Sequence, residues 1–272
     1  MIDSAIILAA GLGKRMRSYD PDIPKPLIKI NNRPFIQYAI DLLNEIRAKE
    51  IIINVHYKSD KILNFINNLN QNNIRVSDES DLLLDTGGGI KKILDKYNIN
   101  KSLVLNSDVI WGESDKELIV DMINSYPEEA EAFLGLVPKS NFRAFKDKGD
   151  FCKLKNNDLI RYDASSEPYV YIGAQIISQN AFNGIEKEVF SINEAWNLCI
   201  NKKTLKGYQF NTNALHLGTS ELLNEYLIKL RRKKCLMNYL RFRMHIMPWS
   251  HLLTQKQWKF TIPNITKHTS QK

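Results

Sequence analysis

Hydrophobic positions in the first half of the chain follow two alternating periods. Short continuous apolar runs, AIILA (5–9), EIIINVH (50–56), IRVS (74–77) and SLVLN (102–106), have the length and β-branched content of buried strands. Between them apolar residues recur at helical spacing. Pro34 opens a helix whose stripe is Ile36, Ala39, Ile40, Leu43 and Ile46, and Ser59 caps another carrying Ile62, Phe65, Ile66 and Leu69. The second half is richer in strands: EAFLGLV (131–137), a hairpin in FCKLKNNDLIRYD (151–163), and YVYIGAQIIS (169–178). Short helices are expected near 193–202 and 219–231. Strands alternating with helices predict an α/β fold, a Rossmann-like, mixed but mostly parallel central sheet flanked by helices. No internal repeat or low-complexity tract interrupts it.

In such open sheets ligands collect beyond the carboxyl ends of the strands. The loop after the first run and the residues after the fourth therefore belong on one rim. The first loop reads LAAGLGKRMRSYDPDIPKPL (8–27). A dinucleotide fingerprint would need glycine where Met16 stands and an acid where Val55 and His56 end the second strand. A Walker loop would need four residues between its glycines and then Lys-Ser/Thr. Neither is present. What remains is Gly-x-Gly-x-Arg, followed by Lys25 between two prolines. Glycines let backbone amides approach a phosphate, Arg15 offers a bidentate clamp, and the prolines stiffen the backbone that carries the Lys25 ammonium. DTGGGI (85–90) suits a backbone lying flat against a ligand such as a planar base, with a helix beginning at 90 behind it. In LNSDVIW, Asp108 follows an apolar strand, where a carboxylate opposite a triphosphate loop can bind a divalent cation.

Composition alters this picture in one place. The 272-residue chain carries a net charge of +8, yet from Lys229 onward there are 11 Lys/Arg and no Asp/Glu. The remaining 27 basic and 30 acidic residues leave the body at −3, which argues against a nucleic-acid-binding face. Residues 1–230 read as the folded body and 231–272 as a basic extension, poorly ordered or solvated, whose mixed bases and aromatics also suit a membrane surface or a partner. No apolar run reaches the roughly 18 residues that span a bilayer. Cys152, Cys199 and Cys235 have neither metal-site spacing nor the even number of a disulfide framework, so a reduced, cytoplasmic setting is expected.

Taken in order, LAAGLGKRMR, PKPL, LLLDTGGGI, LNSDV, KGDF, YIGAQII, FSINEAW and LGTSELL make the chain resemble the sugar-1-phosphate nucleotidylyltransferases from about residue 3 to residue 230. It is most similar to the branch of N-acetylmuramate-1-phosphate uridylyltransferases and mannose-1-phosphate guanylyltransferase-like proteins. The resemblance implies the nucleotide-diphospho-sugar transferase fold, and a magnesium-dependent reaction of UTP or GTP with a sugar 1-phosphate, serving NDP-sugar and cell-wall synthesis. It implies that Ala9, Ala10, Gly11 and Gly13 cradle the nucleotide with Arg15 on the triphosphate. Lys25 would lie on the reacting phosphates, Gly87 and Gly88 against the base, and Asp108 on magnesium. Asp150 and Gly173 would line the sugar pocket. Where many members carry W-x-D-V-G-T, giving the metal a second carboxylate, this chain has NALHLGT, with His216 in the ligand position. Imidazole is a poorer partner for a hard cation, so a weakened relative that binds nucleotide or sugar phosphate and regulates is the alternative reading.

Overall fold

The protein was analysed as a computed structural model that describes residues 3–16, 20–112, 115–143, 148–211, 214–215 and 228. The chain divides into two units, Met1–Asn224 and Glu225–Lys272, and the architecture below is that of the first. The expected boundary at 230 lies outside the described residues, and so does the helix expected near 219–231 apart from Ile228, which is helical.

The apolar runs that become the central strands are covered on both faces, whereas the run at 74–77 forms an edge strand with Arg75 exposed. The chain enters through β1 (Ser4–Leu8), makes tight turns at Lys14–Met16 and Lys25–Leu27, and forms a small ribbon, β2 (Lys29–Ile30) with β3 (Arg33–Pro34). Pro34 then caps α1 (Phe35–Glu45), whose Ile36, Ala39, Ile40 and Leu43 are buried at the expected spacing. β4 (Glu50–Val55), α2 (Ser59–Asn68), β5 (Ile74–Asp78), α3 (Asp85–Tyr97) and β6 (Lys101–Asn106) complete a run of alternating elements. Ser59 does not cap α2. It is the first helical residue, Lys58 in the left-handed conformation is the cap, and the Ser59 hydroxyl pairs instead with that of Ser80.

The second half contains α4 (Asp115–Asn124), β7 (Ala132–Pro138), β8 (Phe142–Arg143), the hairpin β9 (Phe151–Lys153) and β10 (Leu159–Arg161), and β11 (Tyr169–Ser178). It continues with α5 (Ile192–Lys202), β12 (Leu205–Gln209) and β13 (Ala214–Leu215). β1 pairs in parallel with β4 and β6, β4 with β5, and β7 with β12, while β11 runs antiparallel between β6 and β7. All nine strands of the sheet except β10 and β11 point one way, as the mixed, mostly parallel expectation required.

Side chains alternate across this sheet and create two cores. Ala5, Ile7, Ile51, Ile53, Leu103 and Leu105 face α1, α2 and α4, whereas Ile6, Ile52 and Val104 face α3 and α5. Complete burial of each such aliphatic side chain contributes about 1.5–3 kcal/mol, which makes a one-residue slip of any central strand prohibitive.

One detail of β11 matters for the site. Its second half pairs with β6 and its first residue, Tyr169, with Phe151 of β9, while β7 pairs along both parts. The β6 and β9 strands therefore share one edge of β11. The loop that precedes β9 is brought to the place where β6 ends.

Candidate active site

The rim at the carboxyl ends of β1 and β6 gathers the basic loop and the lone aspartate. As β1 ends, Ser107 N–H reaches back to the Leu8 carbonyl at 3.3 Å, so the residues after β6 run beside those after β1. Ala9 and Ala10 are buried and Gly11 is exposed. The loop then turns through Gly13, whose carbonyl accepts from Met16 N–H at 2.8 Å, and the buried Met16 anchors it. Arg15 stands in this turn, with its side chain outside the described part.

Pro24 and Pro26 do stiffen Lys25. Leu27 N–H bonds the Pro24 carbonyl at 2.8 Å and Ile28 N–H the Lys25 carbonyl at 3.1 Å, closing a tight turn with Pro26 buried beneath it. From that turn the Lys25 ammonium forms an ion pair with the Asp108 carboxylate, their side chains only 14% and 16% exposed. A Cβ on Gly13 would lie 3.1 Å from the Lys25 Cβ, so glycine loop, lysine and aspartate form one contiguous surface.

Behind that surface is a polar arrangement that the sequence did not reveal. Ala9 N–H, released from the ladder at the end of β1, donates to Asn54 Oδ1 at 2.8 Å. Asn54 Nδ2 donates to Glu79 Oε1 at 2.8 Å, and Leu84 N–H to Glu79 Oε2 at 3.3 Å. Glu79 is 2% exposed, and burial raises its carboxyl above the usual glutamate range despite these bonds. The one available signal was a polar residue inside the run EIIINV; Glu79 itself reads as a surface acid among SDESD.

The triple glycine is not the loop expected. Gly87, Gly88 and Gly89 lie inside α3, which begins at Asp85 and not at 90. Gly87 and Gly88 donate their N–H groups to the Phe190 carbonyl at 3.0 and 3.1 Å, so this helix start is already satisfied by protein and is not a free anion site. A Cβ on Gly88 would fall 2.2 Å from the Glu188 carbonyl oxygen, and one on Gly87 2.4 Å from the Phe190 ring. The close approach that the glycines permit is, on this side, to the segment before α5.

Asp150 and Gly173 meet where β9 and β11 flank the end of β6. Asp150 Oδ2 accepts the Tyr171 N–H at 2.9 Å. Gly173 has φ +83°, and a Cβ there would lie 2.8 Å from Val109 Cγ2 and 3.1 Å from Asn106, so glycine lets β11 pass directly over the approach to Asp108. The Tyr171 hydroxyl is buried without a hydrogen-bond partner among the described residues, its ring edge-on to Trp196 at 5.0 Å. Burial and the nearby Asp108 and Asp150 carboxylates push that phenol far up, so it stays protonated. Among the described residues no group of three or more His, Cys, Asp or Glu is arranged to hold a metal, and His216 lies outside them. Asp108 alone, a hard oxygen donor, fits a magnesium ion that takes its other ligands from water and substrate phosphates. No helix among the described residues is long and apolar enough to cross a membrane.

Residues 5–179 match the family described as MobA-like NTP transferase domain. The N-acetylmuramate alpha-1-phosphate uridylyltransferase of Caulobacter vibrioides is 31% identical over 63% of this chain and 74% of its own. The D-glycero-alpha-D-manno-heptose 1-phosphate guanylyltransferase of Campylobacter jejuni is 28% identical over 82% of this chain and 98% of its own. In fold, the inositol-1-phosphate CTP transferase from T. maritima superposes with a TM-score of 0.69 at 17% identity, covering 85% of this chain and 96% of that one.

Proposed function

The chain belongs to the MobA-like NTP transferase family, and from that premise we propose that it joins UTP to N-acetylmuramate 1-phosphate, releasing pyrophosphate. The class is that of its relatives, a nucleotidyltransferase acting on a sugar 1-phosphate. The observation that carries the reading is the Lys25–Asp108 pair on the rim beside Ala9–Gly13. It sets a fixed cation and a metal-competent carboxylate beside a glycine loop, as transfer at an α-phosphorus demands.

A phosphate oxygen of the acceptor attacks the α-phosphorus, the bond to the bridging oxygen breaks, and pyrophosphate leaves. That nucleophile is already ionised at neutral pH, so the protein need supply no general base. Its work is positioning and charge stabilisation. Lys25 stabilises charge on the reacting phosphates, Arg15 clamps the triphosphate, and the Ala9–Gly13 backbone fixes the nucleotide, with the base towards Gly87 and Gly88. Asp150 and Gly173 border the acceptor. A magnesium ion held by Asp108, with His216 as a second donor, would supply further neutralisation of the triphosphate. Removing one preorganised group of this kind costs about 3–4 kcal/mol, on the order of 10²–10³ in rate.

A second reading keeps the chemistry and changes both substrates: GTP with a mannose- or heptose-type 1-phosphate. It is favoured by the Campylobacter relative, which aligns over nearly its whole length. Pyrophosphate release measured across four NTPs and a panel of sugar 1-phosphates separates the two. Turnover with UTP and N-acetylmuramate 1-phosphate is the expected result, and a preference for GTP with a manno-configured sugar would select the second. No release with any pair, from a chain that still bound nucleotide, would make it a regulatory relative.

A further inference from the structure

Behind the nucleotide loop an acidic side chain is buried where an uncharged one would be cheaper to hold. Ala9 N–H leaves the β1 ladder and finds Asn54 Oδ1 at 2.8 Å. A side-chain amide has an acceptor end and a donor end, and either can be turned toward a neighbour. The second contact of Asn54 selects the end: its Nδ2 donates to Glu79 Oε1 at 2.8 Å. A carboxylate only accepts, so Asn54 must present Nδ2 to Glu79 and is left presenting Oδ1 to Ala9. The other carboxylate oxygen, Oε2, accepts Leu84 N–H at 3.3 Å, immediately before α3.

Glu79 is itself held from several sides. Its N–H bonds the Val55 carbonyl at 2.8 Å, its carbonyl accepts from His56 Nδ1 at 2.5 Å, and a Cβ on Gly89 would lie 2.7 Å from Oε1. No described contact brings Glu79 to the Lys25–Asp108 pair. A glutamine would fill the same space, but it could satisfy only one of the two donors. Facing Asn54 with its oxygen, it would turn an N–H against the Leu84 N–H; facing Leu84 with its oxygen, it would turn an N–H against Asn54 Nδ2.

We propose that Glu79 is a positioning residue for the nucleotide. It acts through Asn54 to fix the direction of the Ala9 amide, and so the path of Ala9–Gly13, and through Leu84 to fix the start of α3. This rests on the reading that Ala9–Gly13 cradle the NTP. Glu79 touches neither substrate. Its effect is to make two loops that meet the nucleotide arrive already formed.

The test is a double-mutant cycle on Glu79→Gln and Asn54→Ala, read by KM for each substrate and by calorimetric binding of magnesium-UTP and magnesium-GTP. Glu79→Gln should weaken nucleotide binding about tenfold or more, the cost of a loop displaced by a fraction of an ångström, with the KM for sugar 1-phosphate little changed. Adding Glu79→Gln to Asn54→Ala should weaken nucleotide binding little further. If Glu79→Gln does not fold, Asn54→Ala alone must show the same split between nucleotide and acceptor. Unchanged nucleotide affinity in folded variants, equal losses for both substrates, or independent effects in the cycle would overturn the proposal. A wild-type chain that bound nucleotide but transferred nothing would remove the proposed reaction and leave this inference standing. One that bound no nucleotide would remove both.

Discussion

Lys25 and Asp108, 83 positions apart in sequence, are joined as an ion pair at the lip of the central sheet. The pair has a kinetic consequence. Each partner sets the other's position, so in the proposed reaction the two should act on the phosphates as a unit. Lys25→Ala and Asp108→Ala should each lower turnover at least about a hundredfold, and the double variant should lose much less than the product of the two. Steady-state kinetics on the three variants checks this. Multiplying losses would mean that the residues work separately.

Two glycines should respond to alanine in opposite ways. Among the described residues no atom lies within 4 Å of a Cβ added at Gly11, so Gly11→Ala should keep its melting temperature and raise the KM for NTP by crowding the ligand. Gly88→Ala drives a methyl to 2.2 Å from the Glu188 carbonyl and should cost about 1–3 kcal/mol of stability. Thermal melts beside nucleotide titrations separate the cases. A Gly11→Ala protein with native nucleotide affinity would remove Gly11 from the cradle.

Among the described residues the buried Tyr171 hydroxyl has no partner, a state that costs about 1–3 kcal/mol in general. Tyr171→Phe keeps the ring against Trp196 and discards the orphan. Its melting temperature should match or exceed that of the native chain, as calorimetry would show. A clear fall would reveal a partner, such as an ordered water, that the hydroxyl depends on.

Stability should also carry a trace of Glu79. Burial raises its folded pKa above the usual glutamate range, with the hydrogen bonds from Asn54 and Leu84 and the charge of Lys92 pulling the other way. The folded state therefore binds the proton more tightly than the unfolded chain does. The group's contribution is fully present below the unfolded value and declines as pH rises through the folded one. Glu79→Gln lacks this decline, so its stability relative to the native chain should improve between about pH 4 and pH 7. Urea melts of both proteins at the two pH values test the sign, and a constant difference would contradict it.

What the sequence disclosed, and what it hid, follows from the range of the forces involved. The Lys25–Asp108 rim was legible because strand direction alone puts loop and aspartate at one end of a parallel sheet. The hairpin around Asn157 and the stripe of α1 were legible because their periods are local. The glycines of α3 were misplaced because glycine announces close approach without saying to what; here Phe190 and Glu188, a hundred residues on, are the answer. Helix α4 was overlooked because it buries only Ile119 and Met122, too thin a stripe to register, and β12 because LKGYQ has little apolar run. Asn54 and Glu79 were silent because the burial of a polar side chain is decided by what folds over it. Arg15 is read from its place in Gly-x-Gly-x-Arg, and His216 from the family resemblance alone.

The shared edge of β11 separates two kinds of inheritance. Everything proposed to hold the nucleotide lies before Val109, on strands that run one way and in the helix start they support. The residues proposed to border the acceptor begin after Lys148 and arrive beside β9 and on β11, the latter running in the opposite sense. Sugar preference can thus drift by substitution along one late stretch of chain while the phosphate machinery stays as it is. A graft of residues 148–178 between relatives should carry the choice of sugar with it and leave the choice of base behind.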